Sequence, residues 1–249
     1  MALIFKFDES YDNQKTLMTL GGWLMEESQW KILETEWKGC IDAANKDHGP
    51  DQQITRFHAT ELNGFKEEFK NWDKPMSEAF TASLVALLKN RPTLMVAASV
   101  DMQAMVKIYP ATKNTMLGSA AGLCTKQVML SLAEVVRKNF AQDKLGMVFE
   151  SGNLDGDVNE AFKQMIADGK FKSRDRFDSI SFIPKKPAGL QAADLIAYET
   201  LKRLLALRTR TDAKLRWALE QLLGNNHLGE VGYIGEETLR KLKKKSASN

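Results

Sequence analysis

The chain of 249 residues contains only two cysteines, Cys40 and Cys124, with no CxxC or Cys/His spacing. That scarcity argues against a disulfide framework or a structural zinc site, and both thiols read as small buried hydrophobes in a reducing compartment. No apolar run approaches the roughly 20 residues that span a bilayer, so no membrane partner is expected. The N-terminus lacks a charged segment followed by an apolar stretch and a small-residue cleavage site, which makes a cytoplasmic location the expectation. Glycine-rich nucleotide fingerprints are missing too: neither GxxxxGK[ST] nor a GxGxxG after a strand occurs. Ser10, Ser119 and Ser151 all lack a GxSxG elbow. Nucleotide-driven and serine-hydrolase chemistries are poor readings of such a chain.

What remains is an ordinary globular composition, 43% hydrophobic and 27% charged, in 28.0 kDa, enough for one full core. A net charge of +3 is too mild to announce a nucleic-acid binder. Its distribution says more. Lys163, Lys170, Lys172, Arg174 and Arg176 precede Lys185 and Lys186, and Lys202, Arg203, Arg208, Arg210, Lys214 and Arg216 follow. Such a run either holds a polyanion through phosphate contacts or forms a solvated face.

Leu3, Phe5 and Phe7 alternate with Ile4, Lys6 and Asp8, the period of a strand. Thr16 to Met25 reads as its hairpin partner, with Asp12-Asn13 in the turn and Gly21-Gly22 permitting a bulge or a close approach. Trp30, Leu33, Trp37, Ile41 and Ala44 recur at helical spacing, and Asp73 with Pro75 starts a second helix. Strands are expected over 93–100, 145–149 and 177–183, and helices over 117–135, 157–167, 189–207, 212–223 and 235–244. Strand–helix alternation of this kind calls for a mixed sheet flanked by helices. The order also matches the ribonuclease H-like fold if 26–91 is a helical insertion. The expected organisation is an α/β domain over 1–208 with a mixed five-stranded sheet, followed by a helical C-terminal extension and basic tail over 209–249.

Two segments carry the chemistry. Ile4-Phe5-Lys6-Phe7-Asp8-Glu9-Ser10 is a buried strand that ends in acid, and the helix opened by Pro187-Ala188-Gly189 places Asp194 on the stripe of Leu190, Ala197 and Leu201. A buried carboxylate is costly unless a cation or hydrogen bonds compensate it. Two of them, distant in sequence, suggest a shared metal site. Glu150, directly after the strand at 145–149, is the third candidate, with Asp155 and Asp157 as alternatives and Glu9 as a substitute for Asp8. Without a metal, Asp8 would accept local turn amides and Asp194 would pair with a buried arginine or cap nearby amides.

Phe7-Asp8-Glu9-Ser10, the central Phe57-His58-Ala59-Thr60-Glu61 and the late Gly189-Leu190-Gln191-Ala192-Ala193-Asp194-Leu195-Ile196-Ala197-Tyr198 together resemble the domain-of-unknown-function family 3800. The resemblance spans roughly residues 3 to 205 and implies a ribonuclease H-like core with an acidic, metal-dependent site. Two departures stand out: Tyr11 follows Asp-Glu-Ser where the family often has glycine, and Glu150 stands where an aspartate is common.

Phosphodiester hydrolysis needs an activated water and charge stabilisation at the phosphoryl oxygens, which Mg²⁺ or Mn²⁺ on carboxylate oxygens can supply. Asp8, Glu150 and Asp194 are the expected metal ligands. His58 and Glu61, three apart, are expected beside them as proton-transfer groups, or else bonded to each other. Arg174, Arg176, Lys185, Lys186 and Gln191 are the expected substrate contacts, Gln191 alternatively bonding local backbone. The leading expectation is therefore a divalent-metal-dependent nuclease acting on a nucleic-acid partner. Its alternatives are a non-catalytic interaction module on the same fold and a small-molecule phosphohydrolase.

Overall fold

Two adjacent strands with opposite-facing apolar sets explain most of the architecture. In the computed structural model, which describes residues 2–46, 49–91, 93–110, 118–140, 143–184, 187–224 and 229–246, β1 (Ala2–Tyr11) pairs antiparallel with β2 (Leu17–Glu26). Asp12 closes the hairpin by accepting the amides of Thr16 and Leu17, each at 2.7 Å. Leu3, Phe5 and Phe7 pack into one core, while Ile4 and Lys6 turn to the other face. β2 is buried on both faces, as a central strand must be.

β3 (Leu94–Asp101) continues the antiparallel meander beside β2. β4 (Lys144–Glu150) lies parallel to β1 on its other side, and β5 (Phe177–Ile183) lies parallel to β4. The complete order is β5-β4-β1-β2-β3-β6, a mixed sheet of six strands among the described residues. β1 is interior, as the sequence implied. The sixth strand, β6 (Gly229–Ile234), was not expected: it runs parallel to β3 at the sheet edge. Residues 209–249 are accordingly no purely helical extension, because β6 completes the sheet.

Helices cover both faces. On one side lie α4 (Met102–Ile108), α5 (Ala120–Asn139), α6 (Asp155–Ala167) and α9 (Glu236–Ser246), packed on the core that contains Phe5, Phe7 and Phe149. On the other lie α1 (Glu27–Lys46), α2 (Ala59–Gly64), α3 (Lys74–Lys89), α7 (Ala188–Thr209) and α8 (Trp217–Leu223) around Trp23, Trp30, Trp37 and Phe57. Residues 26–91 are mainly helical, and α3 starts where Asp73 accepts the Met76 amide at 2.9 Å. Cys124 is fully buried in α5, and burial pushes its thiol up to about 12, which makes it unreactive. Among the described residues no helix is long and apolar enough to cross a membrane.

α7 is the element that sets the site. Every residue from Ala188 to Leu201 is buried. Its first turn is capped from α1: Glu34 Oε2 accepts the Ala188 amide at 2.7 Å, and Glu34 Oε1 accepts the Lys6 ammonium at 3.2 Å. Trp23 Nε1 donates to the Ala192 carbonyl at 3.0 Å. Further along, the helix comes so close to β2 that a Cβ on Gly21 would stand 2.9 Å from the Ala197 backbone. Gly21→Ala should therefore destabilise the fold by roughly 1–3 kcal/mol, the usual cost of overpacking. Gly39, in the middle of α1, has open space where its Cβ would be, so Gly39→Ala should stabilise by about 0.5–1 kcal/mol. Chemical denaturation of both variants reads the two opposite signs.

Candidate functional site

The site is built on the α7 face of the sheet. Along β1 the residues facing α7 are Ile4, Lys6 and, continuing the alternation, Asp8. On β4 the apolar Leu145, Met147 and Phe149 face the opposite core, so Glu150 falls on the α7 face. The parallel register pairs Phe7 with Phe149, which puts Asp8 and Glu150 on the next rung, Glu150 at the C-terminal end of β4 and Asp8 three residues short of the end of β1. Asp8 is 1% exposed, and its Oδ1 accepts the Glu9 amide at 2.8 Å.

Asp194 reaches the same level from above. Asp8 pairs with Gly21, and Gly21 lies under Ala197, three residues after Asp194. That is roughly 4.5 Å of helix axis. Asp194 is 2% exposed; its Oδ2 accepts the Ala59 amide at 2.7 Å and lies 3.8 Å from His58 Nδ1. Local chain chemistry explains how this arises. His58 is the N-cap of α2, but no side-chain hydrogen bond from it caps the helix. The carboxylate of Asp194 satisfies one of that helix's first amides in its place.

Gln191, one turn earlier on α7, fixes the same segment. Its Oε1 accepts both Trp37 Nε1 at 3.0 Å and the Phe57 amide at 2.8 Å. At 3% exposure it holds the Phe57-His58-Ala59 backbone against α1 and α7 and offers little surface to a substrate. His58 and Glu61 do not pair with each other. Glu61 Oε1 takes Arg56 Nη2 at 2.8 Å, and His58, with 26% of its side chain exposed, turns to Asp194. His58 Nδ1 has no hydrogen-bond partner among the described residues.

The basic residues disperse rather than converge. Arg174 and Arg176 precede β5, whose Phe177 pairs with Leu145 near the start of β4. Because β5 runs parallel to β4, roughly 17 Å of strand separates them from the level of Glu150. They do not line the acidic end. Lys185 and Lys186 lie outside the described residues. Arg208 is committed to Asp101 at 2.7 Å and to Thr16, and Arg203 to the Ala213 carbonyl.

Among the described residues, no three His, Cys, Asp or Glu side chains converge as a ready-made metal cage. The expected cluster of Asp8, Glu150 and Asp194 is therefore not found as a three-ligand group among the described residues. The donor chemistry nevertheless suits one kind of ion. Buried carboxylates without thiolates favour a hard cation, and Mg²⁺ typically binds through one or two carboxylates together with waters and substrate phosphates. Asp8 and Asp194 are donors of that class, and Glu150 follows on the rung beside Asp8.

Five residues beyond Asp194, Glu199 is 2% exposed and paired with Arg216 Nε at 2.9 Å. Burial raises its pKa, and the arginine only partly opposes this.

No family model matches the chain, and no curated protein matches it.

Two measurements check this description. Asp194→Ala strands the buried Ala59 amide and should cost about 1–3 kcal/mol, whereas Asp194→Asn keeps an acceptor oxygen and should cost much less. For Glu199 the folded pKa lies above the unfolded one, so its contribution to stability is fully present below the ordinary glutamate range and is lost as pH rises through the folded value. The stability of Glu199→Gln relative to the parent should accordingly increase as pH rises from the acid range towards neutrality.

Proposed function

We propose that the chain is a divalent-metal-dependent phosphodiester hydrolase of ribonuclease H-like fold, acting on nucleic acid. The observation that carries this reading is a pair of buried carboxylates, Asp8 on β1 and Asp194 on α7, the helix that packs on β1. The strand arrangement supports it: an antiparallel β1-β2-β3 meander with β4 and β5 added parallel to β1 follows the order expected of that fold, with β6 as an addition. The resemblance to the domain-of-unknown-function family 3800 supports it further, since Asp8 and Asp194 belong to the two most specific of the three motifs.

Asp8 and Asp194, with Glu150 adjacent, would hold Mg²⁺ or Mn²⁺. Such an ion supplies charge stabilisation at the phosphoryl oxygens and an activated water. The chain's own groups divide the remaining work. Glu150 is half-buried at a strand end and gives the carboxylate face an edge towards solvent. His58 turns its buried Nδ1 to Asp194 and keeps 26% of its side chain exposed, so the exposed side of its ring would exchange a proton with a substrate oxygen. Gln191 keeps His58 in place by holding the preceding amide. α7 and the packed aromatic residues around it exclude water from the inner side of both carboxylates.

The test is cleavage of RNA, single-stranded DNA and duplex DNA with Mg²⁺ or Mn²⁺. Asp8→Asn and Asp194→Asn should each lower the rate at least about a hundredfold with the fold intact, and His58→Ala should lower it by roughly 10²–10⁴, the range of a lost proton-transfer group. Binding without metal-dependent cleavage in all three substrates would replace this reading with the non-catalytic module.

A further inference from the structure

Beside α2 lies a cleft of about 680 Å³, within the usual size of a small-molecule site. Leu195, next to Asp194, and Glu199 form part of its α7 wall. The cleft carries two large aromatic side chains that the fold leaves in solvent, Phe65 at 40% exposure and Trp217 at 50%. Each alone would be unexceptional. Both line one cavity.

Phe65 is held there under strain. It is the C-cap of α2 at φ 50°, ψ 54°, in the left-handed region that a bulky residue rarely adopts. Glycine is the residue that such a helix end ordinarily takes. The chain presents an aromatic ring instead, and strain of this kind points to a function for the side chain.

The polar part of the wall is fixed. Arg216 Nε donates to Glu199 Oε2 at 2.9 Å, its Nη2 donates to Asn63 Oδ1 at 2.8 Å, and its guanidinium lies 5.7 Å from the Tyr198 ring centre. Asn63 in turn donates to the Ala59 carbonyl at 2.9 Å. A cleft offering two rings, a planar guanidinium and an amide suits a flat ring with a polar edge. Its position also matters. His58 opens the six-residue helix α2 that Phe65 closes, so the Phe65 ring stands roughly 9 Å along that helix from His58, while Leu195 of the cleft wall adjoins Asp194.

We propose that this cleft binds an unstacked nucleobase of a single-stranded nucleic acid, by stacking on Phe65 and Trp217. The identity of the occupant rests on the hydrolytic reading above and narrows its substrate to single strands, because paired bases stay in their stack and cannot enter.

The chain itself supplies the probe. Of its five tryptophans, Trp23, Trp30, Trp37 and Trp72 are at most 5% exposed, so only Trp217 is open to quenching by a ligand. The protein is titrated in EDTA with a short single-stranded oligonucleotide, an abasic strand of equal length, a mononucleotide and a duplex. Saturable quenching by the base-bearing strand is expected, with the abasic strand and the duplex each weaker by roughly 5- to 150-fold, the range of one lost base–aromatic stack. Saturation by the mononucleotide at a similar concentration would assign the cleft to a free nucleotide and overturn the single-strand proposal. Phe65→Gly separates fold from function: it relieves the strain and should raise Tm, yet weaken binding of a labelled strand, read by anisotropy, over the same range. Equal binding of abasic and base-bearing strands, no binding at all, or full affinity in Phe65→Gly would overturn the proposal. Because no divalent ion is present, a protein that binds base-bearing strands but never cleaves them contradicts only the hydrolytic reading. Cleavage that ignores the bases contradicts only this one.

Discussion

The close seating of α7 on the sheet is the constraint from which the rest follows. A helix buried over its first fourteen residues, Ala188 to Leu201, can dock only where the opposing surface gives way, and Gly21 is where it does. That contact fixes the height of the helix above β1 and β2. It also buries one acid on each side of the contact, Asp8 on the strand and Asp194 on the helix. The same layer holds the hydrogen-bonded Thr19 and Ser99 hydroxyls at 2.7 Å and, at the α7 N-terminus, the Lys6–Glu34 ion pair. Two acids in such a layer are costly for folding alone.

The cost is offset locally, and the offset is what builds the site. Asp194 accepts an α2 amide, Gln191 accepts the preceding Phe57 amide, and the Phe57-His58-Ala59 segment is thereby pinned beside the carboxylate. Glu34 does the same for the α7 N-terminus and ties it to Lys6, whose ammonium also lies 4.6 Å from the Trp30 ring centre. Charge on one element is used repeatedly to satisfy the ends of another. Such polar links give a rigid scaffold, as a site that must hold geometry requires.

Long elements with strong period were legible in the sequence. The β5 boundaries were read correctly, the α3 start followed from Asp73 and Pro75, and the alternation of Leu3, Phe5 and Phe7 was recognised as a buried strand. Short or tertiary-dependent elements were not. β6 reads Gly-Glu-Val-Gly-Tyr-Ile, with two glycines and little alternation, and it is a strand because the outer edge of β3 accepts it. α4 is seven residues and α2 six, too short for a helical period to stand out. Asp101, which accepts the Ala104 amide at 2.9 Å, was the available signal for α4.

The site was legible to a similar depth. Asp8 and Asp194 could be singled out because acid on an apolar surface conflicts with its surroundings, and that conflict is visible in one dimension. Partner choice is not. That Glu61 takes Arg56 and leaves His58 to Asp194 depends on how α2 packs against α7. The placement of Arg174 and Arg176 depends on the direction of β5, which runs away from them towards the acidic end. A basic run in sequence became a dispersed set in space, with Arg203, Arg208 and Arg216 occupied by internal partners. The most direct measurement of the central claim is anomalous diffraction from crystals grown with a cleavage-resistant single-stranded oligonucleotide and soaked in Mn²⁺. The account predicts a manganese peak between Asp8 and Asp194, within ligand distance of a backbone phosphate. Fully occupied oligonucleotide with no manganese at those carboxylates would contradict it.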